Sequence, residues 1–268
     1  MGVVYELRAL TKWSGSKRRF IERYLPYFYE GHTFTDLFAG SFIVSQYASK
    51  HYPRVVANDN NREWIDAVRA LQSNPEQVVS YYETWSRRYL EAEDPRYFYN
   101  SVMRNDYHFE SGLLQEERSA LLMLMLQSNF GGMFLRRQKF GGNYGTAYGK
   151  RKAEFPSQVL WDFHKDIRDV EITCKDWTDV PMDGFVFADP PYRSLYSDPN
   201  NYDSNINHEA LADALKAHGS FAYCGTDLGD GWLDKHFAGY GRVEIETTHT
   251  SKRGADKDSV KEVMIYAS

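Results

Sequence analysis

Short apolar runs that alternate with helical periodicity form the main pattern of the sequence. The run Phe185–Ala188 begins after Gly184 and is ended by two prolines, which is typical of a buried parallel strand. Comparable runs predict further strands between Phe34 and Gly40, at Arg54–Asn58, within Val170–Trp177 and at Phe221–Cys224. Because these strands alternate with helical segments, the pattern predicts an α/β fold with a mostly parallel, Rossmann-like sheet.

From Arg62 to Gln127 the chain carries helical periodicity and no strand pattern. Helices are predicted at Glu63–Leu71, Glu76–Tyr89, Arg96–Val102 and Glu116–Gln127. Two late strands, Arg242–Thr247 and Glu262–Ala267, predict a C-terminal antiparallel hairpin on the sheet. We therefore divide the chain into a sheet domain, residues 1–60 and 156–268, and an inserted helical domain with a β-hairpin, residues 61–155.

Composition sets limits on the class of protein. Hydrophobic residues make up 42% and charged residues 26% of the 268 residues, which is ordinary for a soluble globular protein. The two cysteines, Cys174 and Cys224, lack metal-binding spacing, so we expect buried thiols, a cytoplasmic location and no metal. The apolar run Ala120–Leu126 is too short to cross a bilayer, and the N-terminus lacks the apolar segment of a signal peptide. Because the net charge is −5, a nucleic-acid surface must be a local one.

The tetrapeptide Asp189-Pro190-Pro191-Tyr192 directly follows the Phe185–Ala188 strand, and ligands in open α/β sheets bind beyond the carboxyl ends of strands. Asp189 and the Pro190 carbonyl offer two acceptors for the hydrogens of an exocyclic amino group, and Tyr192 offers a flat face for a base. Hydrogen bonds that favour a tetrahedral nitrogen act mainly in the transition state. The tetrapeptide therefore predicts chemistry at an amino group, and a proline-rich turn that merely ends a strand is the alternative for the isolated motif.

Two features predict an adenosine-containing cofactor. A strand that breaks at Gly40 into a helix is typical of the place where a nucleoside meets backbone in doubly wound folds. Asp59 follows the next strand about 20 residues later, the spacing at which a carboxylate binds ribose hydroxyls, although Asp59 also suits the N-cap of the following helix. The basic stretch Lys12–Arg19 fits either an anion-binding turn or the start of a surface helix.

Residues 130–152 have the most unusual composition in the chain. They hold six basic residues, five aromatic residues, six glycines and no acid. Basic side chains attract phosphates, and aromatic rings stack on bases or wedge between them. The segment predicts a nucleic-acid surface, with a solvated flexible loop as the alternative. The expected DNA contacts, including two from a later basic loop, are Arg136, Arg137, Lys139, Asn143, Lys150, Arg151, Lys252 and Arg253.

Together these motifs resemble the Dam-type (class alpha, D12) DNA adenine-N6 methyltransferases along nearly the whole chain. Lys12-Trp13-Ser14-Gly15-Ser16-Lys17 is similar to the K-W-x-G-x-K of that family, and Asp36-Leu37-Phe38-Ala39-Gly40 is similar to its cofactor loop. Asp59 matches its ribose-binding acid, Asp189–Tyr192 its D-P-P-Y, and Gly131–Gly149 its DNA-reading hairpin. The motifs follow the order of the family.

The resemblance implies S-adenosyl-L-methionine as methyl donor, duplex DNA as substrate and a flipped target adenine, with no metal. The sheet domain would then be the cofactor-binding catalytic domain, and residues 61–155 the target recognition domain. Asp189, Pro190, Pro191 and Tyr192 would be catalytic. The implied cofactor residues are Trp13, Lys17, Asp36, Phe38, Gly40, Asp59, Asp176 and Asp189.

Two departures from the family pattern keep alternatives open. Phe42 stands where the cofactor loop of the family usually has a second glycine, so either the ring crowds the cofactor or the turn has a different shape. In the hairpin, the Arg and Asn positions of the family fall on Leu135 and Arg137, with Arg136 adjacent, which leaves the usual GATC preference open. The alternatives are a DNA-binding protein with weak or lost catalysis, and an amino-methyltransferase acting on another base or on RNA. The oligomeric state and the biological role are not indicated by the sequence.

Overall fold

The computed structural model describes residues 9–11, 13, 15–19, 21–28, 30–109, 112–137, 141–150, 152–193, 206–248 and 259–267. The strands in these residues are Thr33–Asp36 (β1), Arg54–Asn58 (β2), Arg136–Arg137 (β3), Asn143–Tyr144 (β4), Glu171–Thr173 (β5), Phe185–Ala188 (β6), Phe221–Asp227 (β7), Gly241–Thr248 (β8) and Ser259–Ala267 (β9). Within the same residues, seven strands form one sheet in the order β5-β2-β1-β6-β7-β9-β8, and β3 pairs with β4.

Helices surround the sheet and build the middle of the chain. In the described residues they are Ile21–Tyr24 (α1), Ile43–Ala48 (α2), Arg62–Ser73 (α3), Pro75–Glu91 (α4), Pro95–Tyr97 (α5), Arg104–Phe109 (α6), Gln115–Ser128 (α7), Gln158–Ile167 (α8), His208–His218 (α9) and Trp232–His236 (α10). Shorter 3-10 turns cover Lys17–Arg19, Leu25–Tyr27 and Trp177–Asp179, and a π-helix spans Phe98–Met103.

The sheet confirms the predicted Rossmann-like α/β fold. Strands β5, β2, β1, β6 and β7 pair in parallel, and β9 lies antiparallel between β7 and β8. All four residues of β1 and of β6 are buried, because both faces of the central sheet are covered. The predicted C-terminal antiparallel hairpin is also confirmed, as β8 and β9.

Two apolar clusters lie on opposite faces of the sheet. Phe187 and Met264 belong to the larger cluster, whereas Val186 and Ile265 belong to the smaller one, as strand alternation requires. The larger cluster also contains side chains of α3, α4 and α7, and every residue of α7 from Ser119 to Ser128 is buried. The helical block therefore packs on the same core as one face of the sheet. The division of the chain at residues 60 and 156 stays a prediction.

Three of the four helices predicted between residues 62 and 127 are confirmed, as α3, α4 and α7. The single helix predicted at Arg96–Val102 is wrong in form, because this stretch begins with α5 and continues as a π-helix into α6. Asp94 starts it by accepting hydrogen bonds from the N–H groups of Arg96 and Tyr97. Tyr99 and Met103 are the buried residues of this π-helix.

In the described part of the chain, no helix is both long enough and apolar enough to cross a membrane. The same described residues contain no group of three or more His, Cys, Asp or Glu side chains that could hold a metal ion.

Candidate active site

Polar side chains share one face of the sheet near the carboxyl ends of its central strands. Asp36 ends β1, and Asp189 follows β6, where alternation places it on the same face as Phe187. On β9, Glu262 lies two residues before Met264 and so occupies this face as well. We call this cluster the acidic corner, and its members are Lys17, Asp36, Asp189, Tyr192 and Glu262.

Lys17 supplies the positive charge of the acidic corner. Its side chain is 2% exposed, and its Nζ lies 2.7 Å from Asp189 Oδ2 and 4.9 Å from the centroid of the Tyr192 ring. The same Nζ donates a hydrogen bond to the Gly15 carbonyl at 2.9 Å. Burial acts to lower the pKa of Lys17, but Asp189 and the other acidic neighbours outweigh it, so this pKa is raised. Lys17 therefore stays charged and holds both the carboxylate and the ring.

Each aspartate of the acidic corner has one unsatisfied oxygen. Asp36 Oδ2 accepts a hydrogen bond from Ser45 Oγ at 2.6 Å, and Asp189 Oδ2 pairs with Lys17. The Oδ1 atom of each aspartate is buried and has no hydrogen-bond partner within the described residues. Burial raises the pKa of Asp36 to about 7 and also raises the pKa of Asp189, where Lys17 opposes the shift. Buried acceptors of this kind fit a cationic or hydrogen-donating ligand.

The predicted cofactor turn lies at Gly40, after β1. Gly40 has a φ of +45°, and a Cβ there would come within 3.0 Å of Trp13 Nε1, so glycine is required. Its N–H donates to Asp59 Oδ2 at 2.9 Å, and its carbonyl accepts from Trp64 Nε1 at 2.7 Å. The structure therefore brings Trp13, Gly40 and Asp59 together, as their predicted common role requires.

Asp59 is not the N-cap of the next helix. The N-cap of α3 is Asn61, whose Oδ1 accepts a hydrogen bond from the Trp64 N–H at 3.3 Å. Asp59 Oδ1 instead accepts from the Asn61 N–H at 2.9 Å. The N-cap interpretation of Asp59 is wrong, because its carboxylate joins the Gly40 turn to the start of α3.

Phe42, which stands where the family usually has a glycine, has a left-handed backbone and a ring that packs in the core. Its φ is +60°, a left-handed conformation that is uncommon for a bulky residue. The side chain is fully buried, with ring centroids 6.5 Å from Trp64 and 6.1 Å from Phe163. Packing of the ring in the core holds the backbone in a conformation that glycine usually adopts.

Two further residues predicted to border the cofactor lie at different places around the sheet. Phe38 is half-buried and packs against the smaller apolar cluster. Asp176 is exposed and caps the 3-10 turn Trp177–Asp179, where it accepts hydrogen bonds from the N–H and the hydroxyl of Thr178 at 3.0 and 2.7 Å. These bonds lower the pKa of Asp176. A cofactor role for either residue stays a prediction.

A buried polar network supports the hairpin, by which we mean residues 129–149. Tyr144 is its centre, because its hydroxyl lies 2.9 Å from the Tyr99 hydroxyl and accepts from Asn129 Nδ2 at 3.0 Å. The Tyr144 N–H donates to Glu63 Oε2 at 2.9 Å. Since Glu63 lies on the first turn of α3, the hairpin is joined to the helix that begins beside Asp59.

The outer side of the hairpin presents charge and one ring. Arg136 and Arg137 are exposed on β3, Lys150 is exposed just beyond β4, and Phe130 is 58% exposed at the base. At the base, Gly149 lies so close to the backbone of Asn129 that a Cβ would not fit. Of the other predicted DNA contacts, Lys139, Arg151, Lys252 and Arg253 lie outside the described residues, as does the side chain of Asn143.

The chain that leaves Tyr192 is fixed by Arg193. Its Nη2 lies 2.6 Å from Asp230 Oδ2, and its guanidinium lies 4.3 Å from the centroid of the Trp232 ring. Burial lowers the pKa of the nearby His208 to about 4, and Arg193 adds to this shift. His208 is therefore neutral at pH 7 and its Nδ1 lies 3.3 Å from the Tyr223 hydroxyl.

Sequence reasoning missed Glu262 and Glu63. Glu262 is 6% exposed on β9, but it follows Lys261 and precedes the apolar residues 263–267, so the sequence offers only a weak signal for its burial. Glu63 had no such signal, because an acid in the first turn of a helix is ordinary. Its role depends on Tyr144, which is distant in sequence.

Comparison with known proteins agrees with this geometry. Residues 13–223 match the D12 class N6 adenine-specific DNA methyltransferase family. The type II methyltransferase M1.LlaDCHI of Lactococcus lactis subsp. cremoris is 28% identical over 203 residues, which cover 70% of this chain and 67% of the relative.

Two further relatives come from an archaeon and a virus. The type II methyltransferase M.MjaIII of Methanocaldococcus jannaschii is 25% identical over 71% of each chain. M.CviBI, a type II methyltransferase of Paramecium bursaria Chlorella virus NC1A, is 23% identical over 72% of each chain. Because the family match covers most of the chain, from Trp13 to beyond Tyr192, the chain belongs to the D12 class N6 adenine-specific DNA methyltransferase family.

Proposed function

We propose that the chain methylates N6 of specific adenines in duplex DNA, with S-adenosyl-L-methionine as donor. The observation that carries this proposal is the pairing of Asp189 with the buried Lys17 beside Tyr192, at the carboxyl end of β6. This is the position where ligands bind in open α/β sheets. The proposal includes a cytoplasmic location, in a bacterial or phage-infected bacterial cell, where the DNA lies in the cytoplasm.

The residues around the Gly40 turn fit this cofactor. Asp36 Oδ1 is a buried acceptor without a partner in the described residues, which suits the ammonium group of the methionine part. Asp59 lies at the Gly40 turn, where its carboxylate suits ribose hydroxyls. Trp13 borders the same turn with its ring. When bound, the cofactor would supply a methyl group carried on a sulfonium sulfur, and the sulfur would keep the electron pair of the carbon–sulfur bond.

The tetrapeptide acts on the amino group that receives the methyl. Asp189 Oδ1, which has no partner in the described part of the chain, accepts one N6 hydrogen, and the Pro190 carbonyl accepts the other. Tyr192 stacks on the flipped adenine. As N6 forms its bond to the methyl carbon it becomes positive, and it then loses one proton to solvent water, which restores the neutral amine. The hydrogen bonds from N6 to Asp189 and to the Pro190 carbonyl are strongest in this positively charged state. They therefore stabilise the transition state more than the ground state and raise the rate.

DNA is bound by the exposed side of the hairpin. Arg136 and Arg137 are placed on a short antiparallel pair, which suits reading guanine edges in the major groove. Lys150 suits a phosphate, and the exposed ring of Phe130 suits a wedge between base steps. A duplex is favoured over RNA, because the major groove of RNA is too narrow for side chains to read.

The alternative of a DNA-binding protein without catalysis was motivated by crowding at Phe42. The packing of the ring against Trp64 and Phe163, inside the core, argues against such crowding.

The test is a methylation assay with an Asp189→Ala control. Wild-type protein, unmethylated genomic DNA and S-adenosyl-L-methionine are incubated, the DNA is digested to nucleosides, and N6-methyladenine is quantified by mass spectrometry. We expect N6-methyladenine with wild type alone, while the dissociation constant for DNA, measured by fluorescence anisotropy, stays within about threefold in the variant. Asp189→Asn, which keeps the side-chain shape beside Lys17, serves as the control for folding.

Equal loss of methylation and of DNA binding in both variants would contradict the role of Asp189. A wild-type protein that binds DNA and forms no methylated base would favour the binding-protein alternative. Methylation of another base, or of RNA only, would favour the other amino-methyltransferase.

A further inference from the structure

Glu262 is a buried acid that the proposed chemistry has not used. It lies near the start of β9, opposite Thr226 of β7 and Ile245 of β8, and is 6% exposed. An acidic side chain at such a position is costly unless it has charged or hydrogen-bonding neighbours. Its neighbours are therefore informative.

Those neighbours are the other members of the acidic corner. The Tyr192 hydroxyl donates to Glu262 Oε2 at 3.4 Å. The Glu262 charge also acts on Lys17, whose pKa it helps to raise, and on Asp189. Lys17 lies against Asp189 and against the face of the Tyr192 ring. Glu262 contacts the same ring at its hydroxyl end.

We propose that Glu262 is a positioning residue for methyl transfer, which holds the Tyr192 hydroxyl and shares the charge of Lys17 with Asp189. This inference rests on the proposed function, in which Asp189 accepts a hydrogen from the target amino group.

The charge balance explains why a second acid helps. The Lys17–Asp189 pair alone carries no net charge, and the positive charge of Lys17 weakens the negative potential at the Asp189 oxygen that faces N6. With Glu262 the three groups carry a net negative charge next to the place where N6 becomes positive. Fixed charge in a site of low dielectric stabilises such a transition state without reorganisation.

The hydrogen bond from the Tyr192 hydroxyl explains why Glu262 lies where it does. Tyr192 must present its face to a base that arrives from a DNA duplex, and a ring held only at Cβ rotates about two side-chain bonds. The hydrogen bond to Glu262 fixes the outer end of the ring, while Lys17 lies 4.9 Å from its centroid. Glu262 thereby acts through Tyr192 and Lys17, without touching the substrate.

The proposal predicts a change in pH dependence. The titratable and charged groups that interact with Asp189 are Lys17 of the N-terminal 3-10 turn, Asp36 of β1, Tyr192 of the tetrapeptide, Tyr223 and Cys224 of β7, and Glu262 of β9. Among these, Lys17 lowers the pKa of Asp189 and Glu262 raises it. Removing the Glu262 charge therefore lowers the pKa of Asp189, so the acid limb of the rate profile moves to lower pH.

The experiment compares Glu262→Gln with wild type in single-turnover methylation of DNA across pH 5 to 9. We expect a plateau rate lower by about ten- to a hundredfold, an acid limb at lower pH, and dissociation constants for DNA and S-adenosyl-L-methionine within about threefold of wild type. The matched control is Glu244→Gln, which removes an exposed acid from the adjacent strand β8 and leaves both plateau and limb unchanged.

The outcomes separate this inference from the proposed function. A wild-type protein that forms no N6-methyladenine refutes the proposed function itself. If wild type methylates, an unchanged rate in Glu262→Gln, or a lower plateau with an unmoved limb, refutes only the role of Glu262, since a merely structural acid would not move the limb.

Glu262→Asp keeps the test valid if Glu262→Gln does not fold. This variant retains the charge but withdraws it from the Tyr192 hydroxyl, so we expect a lower plateau with the acid limb at the wild-type pH. A displaced limb or an unchanged plateau in this variant overturns the proposal.

Discussion

The acidic corner and the hairpin handle charge in opposite ways. In the acidic corner the charges are buried, and Lys17, at 2% exposure, pairs directly with Asp189. In the hairpin the arginines Arg136 and Arg137 are exposed, and the buried part around Tyr144 consists of hydroxyl and amide groups together with one acid, Glu63, which accepts from the Tyr144 N–H. The acidic corner thus has buried charged groups, whereas the hairpin has exposed charged groups on a buried support.

The difference matches what each region must do. A buried charge acts strongly over a short distance, so it suits one amino group held in a fixed position. The field of an exposed arginine is screened by salt, but its side chain is accessible to phosphates and base edges that are first met in solution. The buried network supports β4, and β4 pairs with the strand β3 that carries the arginines. Variants of the two regions should therefore fail differently, in the chemical step and in DNA recognition respectively.

The largest effect is expected from Lys17→Met in the acidic corner. The change leaves Asp189 and Glu262 without their cation, and uncompensated buried charge costs about 3–5 kcal/mol in the free energy of unfolding. The methylation rate should fall by about a hundredfold or more, because the Asp189 carboxyl loses its orientation. Urea unfolding and single-turnover methylation measure the two quantities.

Lys216→Met is the matched control for Lys17→Met. Lys216 pairs with Asp213 at the surface, 2.9 Å apart, and such pairs contribute about 0–1 kcal/mol. Equal destabilisation by the two substitutions would show that the Lys17 pair has no special weight.

A smaller effect of a different kind is expected from Tyr144→Phe in the hairpin. Loss of the hydroxyl removes one hydrogen bond each from Asn129 Nδ2 and the Tyr99 hydroxyl, which keep the carbonyls of Met133 and Thr146 as partners, so the cost is about 0.5–1.5 kcal/mol for each bond. Because the hairpin is then held less firmly, the DNA concentration for half-maximal rate should rise while the single-turnover rate at saturating DNA is unchanged. Tyr97→Phe, at a tyrosine that is 64% exposed, is the control. A fall in the saturated rate would contradict the separation of the two regions.

The smallest effect on overall activity, and the most specific one, is expected from Arg136→Ala and Arg137→Ala. Each bidentate contact between an arginine and guanine contributes about 1–3 kcal/mol of discrimination, so at least one variant should methylate a wider set of sequences. Sequencing of the methylated adenines in genomic DNA measures this preference. Lys150→Ala, at an expected phosphate contact, should weaken binding to all sequences alike. An unchanged preference in both arginine variants would refute the reading of bases by β3.

Much of the sheet could be predicted from sequence because the signals are local. The run that became β6 was bounded by Gly184 and two prolines, and β2 was predicted with its observed bounds. The Gly40 turn and Asp59 were found from their spacing, and the structure joins them by a hydrogen bond. Roles that depend on one strand and its next turn are therefore visible in sequence.

Roles that depend on distant contacts were not visible. The left-handed conformation of Phe42 is held by packing of its ring against Trp64 and Phe163, which are distant in sequence. Asn61 and Asp59 are both suitable N-caps by residue type, and tertiary contacts with Gly40 decide between them. The partner of Lys17 was unknown until β6 and the N-terminal turn were placed side by side.

The acidic corner also has a consequence for how the protein matures. Its members come from the N-terminal turn, from β1, from β6 and from β9, so almost the whole chain separates Lys17 from Glu262. Contacts between such distant segments form late, because closing long loops is slow and chains emerge from the ribosome with the N-terminal part first. We therefore expect a nascent chain to complete its core of α3, α4 and α7 before this site exists. A chain that has not yet paired β9 with β7 would not yet modify DNA, so activity itself reports that folding is complete.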